Sequence, residues 1–238
     1  MTKRVITHHI VRSPKLKSTM TFAVVTDLHN APYTDMLPAL HDVDAVLIVG
    51  DLLNRHQHGF AHAAQFLQDA PHCAPTYYSI GNHEWKSADR PAFWPLVEKS
   101  NVTVLDNDCI RLGDVLLGGL SSRPREEIDV SIVNRMAQDD SFRLLMCHHP
   151  EWYPRYVQGH GIDLTLAGHA HGGQIQLFGR GLYAPGQLIL PRYTDGFYDN
   201  GHLLVSRGMT NSSGMPRWGN PCELILLRLE PAKEVSYE

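Results

Sequence analysis

The chain has 238 residues, of which 43% are apolar and 19% are charged, and this composition excludes a disordered or low-complexity protein. Its net charge of −4 argues against a protein that holds nucleic acid on a basic surface. The longest apolar runs, 45–50 and 115–120, are far shorter than the roughly 20 residues of a membrane span. We therefore expect one domain over residues 1–238 without a membrane span.

Short apolar runs alternate with helical patterns along the first two-thirds of the chain. A hairpin turn is predicted at Gly113 and Asp114. Strands are predicted at 22–26, 43–49, 76–80, 102–105, 142–147 and 162–167. Helices are predicted at 60–70, where Pro71 is the stop signal, at 89–99 and at 129–137.

The tail is richer in glycine, proline and aromatic residues, and short strands are predicted there at 188–190, 202–206 and 223–229. The basic N-terminal stretch is interpreted as a solvated edge strand. Together these elements indicate an α/β sandwich, with helices covering packed sheets. The four cysteines form no CxxC pair, and no apolar segment follows the N-terminal basic residues, so we expect a cytoplasmic protein.

Five of the predicted strands are each followed immediately by residues of the types that ligate metals. The five segments are DLH from Asp27, GDLLNR from Gly50, GNHE from Gly81, HHP from His148 and GHAH from Gly168. Loops at the carboxyl ends of strands are where α/β sheets build their sites. Carboxylate, amide oxygen and imidazole, without a thiolate, suit divalent metals of borderline hardness. The sequence therefore predicts a metal centre at these strand ends.

The spacing within these segments predicts which residues bind the same ion. In an extended Asp-x-His, residues i and i+2 face the same way, so Asp27 and His29 are expected to bind one ion, and His169 and His171 share that spacing. The glycines before Asp51, Asn82 and His169 permit sharp turns and close backbone approach. Seven ligands exceed a tetrahedral site but can serve two ions if one carboxylate bridges them.

The ordered set DxH, GDxxN, GNHE, a histidine and GHxH resembles the calcineurin-like metallophosphoesterases. The tail segments GHAHGGQ (168–174), YAPG (183–186) and SRG (206–208) are similar to the bacterial YkuE/YaeI-like branch of that superfamily. The resemblance covers nearly the whole chain. It implies a four-layer α/β/β/α sandwich, in which helices flank two mixed β-sheets.

The same resemblance implies a metal-dependent phosphoric ester hydrolase with two divalent ions, whose identity as Mn, Fe, Zn, Co or Ni stays open. The implied ligands are Asp27, His29 and His171 for the first ion, Asn82, His148 and His169 for the second, and Asp51 as the bridge. A hydroxide shared by the ions would attack phosphorus in line.

Three further residues receive catalytic roles from the resemblance. His83 faces the substrate and would protonate the leaving group as general acid. The Asn54 position orients that histidine, and the Arg55 position contacts phosphate. Asn54 replaces the acid of the best-known members, and an amide cannot stabilise a protonated imidazole by charge. A dyad that raises the pKa of His83 is therefore not expected.

The branch resemblance favours phosphodiester substrates. A phosphomonoesterase or pyrophosphatase would use the same metal centre. A lipid-linked pyrophosphate is a further alternative, although the sequence contains no long apolar lid. The net charge argues against a nuclease. A non-catalytic metal- or nucleotide-binding module is the alternative from another class. The complete ligand set together with His83 argues against it. The sequence leaves the oligomeric state open.

Several further residues can be interpreted either as functional or as structural. Glu84 and His149 are placed beside ligands, with a surface position as the alternative for His149. Trp218 is interpreted as core rather than a stacking platform for substrate. Arg207 and Arg217 either contact the substrate or form hydrogen bonds and salt bridges inside the tail.

Overall fold

The structure is a computed structural model that describes residues 4–123, 128–211 and 216–232. Within these ranges no helix is long and apolar enough to cross a membrane. The strands, in chain order, are β1 Arg4–Ser13, β2 Met20–Val25, β3 Ala45–Val49, β4 Thr76–Ser79, β5 Val102–Val104, β6 Asp108–Leu112, β7 Val115–Leu120, β8 Phe142–Cys147, β9 Leu164–Ala167, β10 Gln176–Leu177, β11 Arg180–Gly181, β12 Tyr183–Ala184, β13 Leu188–Ile189, β14 Gly196–Tyr198, β15 Leu203–Val205 and β16 Cys222–Pro231.

Helices connect the strands of the first two-thirds of the described chain. The α-helices are α1 Ala61–Cys73, α2 Asn82–Lys86, α3 Arg90–Lys99, α4 Ser131–Met136 and α5 Tyr153–Tyr156. Most predicted helices and strands are confirmed to within a few residues, including the hairpin between β6 and β7 and the edge strand β1. The predicted stop at Pro71 is wrong, because α1 continues to Cys73. A proline this close to the helix end removes one hydrogen bond but leaves the buried apolar face intact.

Two mixed six-stranded sheets form the centre of the molecule. The first has the order β1-β16-β2-β3-β4-β5 and the second the order β14-β15-β9-β8-β7-β6. In the first sheet β2, β3 and β4 run parallel, and in the second β7, β8 and β9 do so. Parallel neighbours end at the same edge of a sheet, so the loops after them are brought together.

Three apolar layers hold the sheets and helices together. Phe22, Leu47, Leu144 and Leu166 belong to the cluster between the two sheets. A second cluster joins the outer face of the first sheet to α1 and α3, and a third joins the second sheet to α4 and α5. This arrangement is the four-layer α/β/β/α sandwich. Alternate residues of β3 enter different layers, as the period of two in a strand requires.

We expect Phe22→Ala to lower the free energy of unfolding by about 3–5 kcal/mol, since it leaves a cavity between the sheets. Phe22 is completely buried, whereas Phe178 is fully exposed. Phe178→Ala is therefore the matched control and should change stability by less than about 0.5 kcal/mol. Denaturant titration of both variants measures the two values, and equal losses would contradict the layer assignment.

Candidate metal centre

Buried polar side chains from five loops meet where strands of the two sheets end. These residues are Asp27 and His29 after β2, Asp51 after β3, Asn82 and His83 after β4, His148 after β8, and His169 and His171 after β9. The structure thus brings together six of the seven predicted ligands and the predicted general acid, and the seventh, Asn82, is buried next to His83 in the chain. Long-range pairing of strands in two sheets is what gathers residues that lie up to 144 positions apart, since 171 − 27 = 144.

The backbone at these strand ends adopts a conformation that L-residues rarely take. Asp27, His29, Asp51, His169 and His171 all have positive φ, between 49° and 63°. Non-glycine residues in this left-handed region are uncommon and cost roughly 1–3 kcal/mol each, so they cluster where a site requires them. The expectation of an extended Asp27-x-His29 is therefore wrong, although the two side chains do converge.

Glycines allow the loops to approach these side chains closely. A Cβ on Gly81 would lie 2.2 Å from Asp51 Oδ1, and one on Gly168 would lie 2.5 Å from Asp27 Oδ2. Neither position has room for any other residue. The predicted role of these glycines in close approach is confirmed.

Asp27, His29 and His171 form the first group, in which one potential ligand atom from each lies within 4.8 Å of the others. Asp27 Oδ1 is 3.7 Å from His29 Nε2 and 3.6 Å from His171 Nε2. The Leu53 carbonyl accepts a hydrogen bond from His29 Nδ1 at 3.1 Å, which directs Nε2 toward the group. Of the two GHxH histidines, His171 belongs to this group and His169 belongs to the second group, despite their shared spacing.

Arg217 fixes the proton on His171. Its Nη2 donates to His171 Nδ1 at 3.0 Å, and arginine has no acceptor atom. The neutral His171 ring therefore carries its proton on Nε2, which lies 3.3 Å from His29 Nε2. For His171 Nε2 to hold a cation, this proton would have to move to Nδ1, which would then no longer accept the Arg217 N–H.

Asp51, His148 and His169 form the second group. Asp51 Oδ2 lies 3.1 Å from His148 Nε2 and 4.0 Å from His29 Nε2 of the first group. His148 Nδ1 donates to the Val49 carbonyl at 2.8 Å, which directs Nε2 toward the Asp51 carboxylate. The carboxylate of Asp51 thus lies between the two groups.

Electrostatics keep both buried carboxylates ionised. Burial opposes the charge on Asp27, but the neighbouring imidazoles, that of His171 first, hold its pKa well below the ordinary range. Burial also opposes the charge on Asp51, and His148 lowers its pKa by charge and hydrogen bonding. In return Asp51 raises the pKa of His148 to about 10, against the effect of burial. The two acids therefore require positive charge in this cavity.

The donor set fits a divalent cation. Within the described residues, the buried atom Asn82 Oδ1 has no hydrogen-bond partner. An unsatisfied buried acceptor costs roughly 1–3 kcal/mol, so such atoms indicate a partner that is a cation rather than a side chain. Carboxylate, amide oxygen and imidazole together match metals of borderline hardness.

His83 projects from the start of α2 toward Asp51, with its Nε2 3.9 Å from Asp51 Oδ2. Its Nδ1 accepts the backbone N–H of Arg55 at 3.2 Å, whereas the Asn54 side chain accepts the N–H of His56. The backbone of residue 55, not the amide at position 54, thus orients this ring. Burial lowers the pKa of His83 to about 3, partly opposed by Asp51, so the ring is neutral and carries its proton on Nε2.

Glu84 ties two of the loops together. Its buried carboxylate accepts the backbone N–H groups of Asp51, Leu53 and Gly81 at 2.8–3.0 Å. The expectation that Glu84 supports a ligand residue is met by these contacts. Because one carboxylate fills three backbone donors, it fixes the position of Asp51 relative to α2.

Three residues acquire positions that the motifs did not reveal. Glu151 Oε1 lies 3.1 Å from His149 Nδ1 and 3.9 Å from His169 Nε2. Arg217 comes from the tail, 46 residues beyond its contact His171. An acid soon after the HHP segment could have suggested Glu151, but no local pattern connects Arg217 to the centre. Arg207 forms salt bridges within the tail, with Asp195 and Glu223.

Comparison with known proteins agrees with this geometry. The model of the calcineurin-like phosphoesterase family matches residues 20–173. The chain belongs to the calcineurin-like phosphoesterase family. The sandwich described above is the fold of this family.

Relatives carry similar descriptions. An uncharacterized metallophosphoesterase of Helicobacter pylori is 29% identical over 202 residues, covering 81% of this chain and 53% of the relative. The uncharacterized metallophosphoesterase YkuE of Bacillus subtilis is 31% identical over 120 residues, covering 48% of this chain and 35% of YkuE. Among solved structures, the purple acid phosphatase PPD1 of yellow lupin is similar over 67% of this chain and 39% of that one, with a TM-score of 0.46 and 13% identity. The chain spans about half the length of the Helicobacter relative.

We expect Glu84→Gln to lower the free energy of unfolding by about 3 kcal/mol, since the new amide turns a donor toward backbone N–H groups. Glu98→Gln on the exposed side of α3 is the matched control and should have no measurable effect. Thermal and denaturant unfolding of both variants provide the comparison. Equal stability of the two would mean that Glu84 does not organise the loops.

Proposed function

We propose that this protein is a dinuclear metal-dependent phosphoesterase that hydrolyses phosphodiesters. The observation that carries the proposal is the position of Asp51 Oδ2, within 4.0 Å of histidine nitrogens from both ligand groups. A carboxylate in that position can serve two ions at once. The buried Asn82 Oδ1 has no hydrogen-bond partner among the described residues, and neither group contains a cysteine.

The proposed ligands follow the two groups. Asp27, His29 and His171 would hold one ion, and Asn82, His148 and His169 would hold the other, with Asp51 shared. Bound ions would polarise the phosphoryl oxygens and lower the pKa of a shared water toward neutrality. The chain contributes the fixed positions of these ligands, and backbone carbonyls set the tautomers of His29 and His148.

His83 is the proposed general acid. Its Nδ1 accepts the Arg55 N–H, so the proton on Nε2 faces the centre and can pass to the departing alkoxide, and water then returns a proton to Nε2 so that the ring ends neutral. The neutral ring needs no acidic partner at position 54 for this task. The amide of Asn54 instead holds the loop through the His56 N–H.

Arg55 is the proposed phosphate contact. Its side chain is exposed beside His83, and its charge helps to lower the pKa of that histidine. Arg217 Nη2 lies within hydrogen-bond distance of the Arg207 and Thr210 carbonyls and of His171 Nδ1. The single positive charge of the Arg55 guanidinium can pair with the single negative charge of a phosphodiester. A phosphomonoesterase or pyrophosphatase is the alternative on the same centre.

Chelator-treated protein should lose hydrolysis of bis-p-nitrophenyl phosphate and regain it with Mn²⁺, because the ligands alone supply no nucleophile. The same sample is assayed against p-nitrophenyl phosphate. Faster cleavage of the diester supports the proposed substrate class, and faster cleavage of the monoester would assign the alternative. Metal-loaded protein that cleaves neither ester would contradict the proposal.

Asp51→Asn should reduce bound metal at both positions together, since it removes the shared charge. Metal content per chain is measured by mass spectrometry after dialysis. The variant should have lost both ions that the wild type retains. Asp106→Asn, an acid outside the centre, is the control and should keep the wild-type content. Retention of two tightly bound ions by Asp51→Asn would refute the bridge.

His83→Ala should keep the wild-type metal content and lose turnover by about 100- to 10,000-fold, since it removes a proton donor and no ligand. The exposed His62 provides the matched control, and His62→Ala should retain full activity. Turnover of the diester and metal content are measured on the same preparations. Unchanged turnover in His83→Ala would remove the assigned role.

A further inference from the structure

Two hairpins after the last metal-centre histidine expose a group of large apolar side chains, here called the apolar hairpin face. It consists of Leu177, Phe178, Leu188, Ile189 and Leu190. Phe178 is fully exposed, Ile189 is 79% exposed and Leu190 is 70% exposed. Single exposed apolar residues are ordinary, but several on two adjoining hairpins, where Gly179 beside Phe178 lines the same cavity as Leu190, mark an interaction surface.

The apolar hairpin face is built onto the metal centre. Leu182 donates backbone hydrogen bonds to the carbonyls of Gly173 and Ile175, and Leu190 donates to Leu182. Gly173 follows His171 within the same short 3₁₀ helix, His171–Gly173. On the other side, a Cβ on Gly186 would lie 2.2 Å from Glu151 Oε1, and Glu151 contacts His169. The hairpins are therefore fixed to both histidines of the GHAH segment.

The charge around this face is opposite in sign to that of the whole chain. The segment 172–194 contains Arg180 and Arg192 and no acidic residue, whereas the chain has a net charge of −4. Both arginines are exposed, and they line one open cavity of about 440 Å³ together with Leu190, Thr194 and Tyr198. The carboxylate of Asp195, which follows this segment, accepts hydrogen bonds from Gln176 and Arg207.

A tryptophan extends the face. Trp218 was expected in the core but is 69% exposed, and its backbone pairs with Ile175 next to the first hairpin. The reason is that it lies in the loop before β16 rather than on a strand or helix that packs. Tryptophan prefers the boundary between water and lipid, where its ring is apolar and its N–H is hydrated.

We propose that the apolar hairpin face docks the protein onto an anionic membrane surface, and this proposal rests on the proposed function for its consequence. Projecting apolar tips enter the boundary between headgroups and acyl chains, and neighbouring arginines bind the lipid phosphates. Because the hairpins are fixed to the GHAH histidines, docking brings the centre to the membrane. The substrate class is then a phosphodiester presented at a lipid surface. No apolar lid is needed, because the bilayer itself holds the acyl chains.

Charge favours a membrane over a second copy of this chain. A symmetric dimer through this face would place the arginines of both copies together without an acid from segment 172–194 to pair with them. An anionic bilayer supplies that negative charge in the plane of the apolar tips. The attraction is expected to weaken with added salt.

Flotation with vesicles tests the proposal on the full-length chain. The wild type should float with vesicles of phosphatidylcholine mixed with phosphatidylglycerol and remain behind with phosphatidylcholine alone. Phe178→Ser and Ile189→Ser should each lower binding by about tenfold, since an inserted side chain is lost. Arg180→Ala and Arg192→Ala should each lower it by about fivefold.

Ile10→Ser provides the matched control, because Ile10 is half-exposed on the edge strand β1, away from the hairpins. This variant should bind vesicles as the wild type does. All hairpin variants should keep wild-type hydrolysis of bis-p-nitrophenyl phosphate, so a failure of docking and a failure of the proposed chemistry are read separately. Docking would be overturned by a wild type that does not float with anionic vesicles. It would equally be overturned by an Ile10→Ser variant as weak as Phe178→Ser, or by hairpin variants that break up a dimer instead.

Discussion

Two carboxylates buried at the ends of neighbouring parallel strands impose the main constraint on this molecule. Asp27 and Asp51 are almost completely inaccessible, and moving such charges out of water costs several kcal/mol each unless positive charge surrounds them. The protein meets this cost with imidazoles, which hold the pKa values of both acids low. Four histidines converge on these acids and lower their pKa values, and that same arrangement creates a cavity suited to cations.

Much of the local structure maintains this arrangement. Left-handed backbone at Asp27 and Asp51 turns their carboxylates inward, at a conformational cost that the packed sheets must offset. Glu84 fixes the loop at Asp51 through three backbone donors, and the absence of a Cβ at Gly81 lets that loop approach. Rigid support of this kind keeps ligands in place before any ion binds, which is what a preorganised centre requires.

The sequence predicted the parts of this structure that depend on local pattern. Short continuous apolar runs predicted β3 and β8, and the ordered motifs predicted the residues that meet at their ends. Contacts between residues distant in the chain could not be predicted from the sequence. Nothing local shows that Arg217 reaches His171, that the Arg55 backbone rather than Asn54 orients His83, or that the hairpin tips lie exposed. An extended Asp-x-His was the wrong inference, because strain imposed by the surrounding fold overrides the usual preference of isolated residues.

The central claim is that Asp51 lies between two cations. Anomalous diffraction from crystals grown with Mn²⁺ tests it most directly, because the scattering identifies the ion and its position together. The account predicts two peaks on opposite sides of the Asp51 carboxylate, one beside Asp27 and His29 and the other beside His148. A single peak, or peaks that do not contact Asp51, would contradict it.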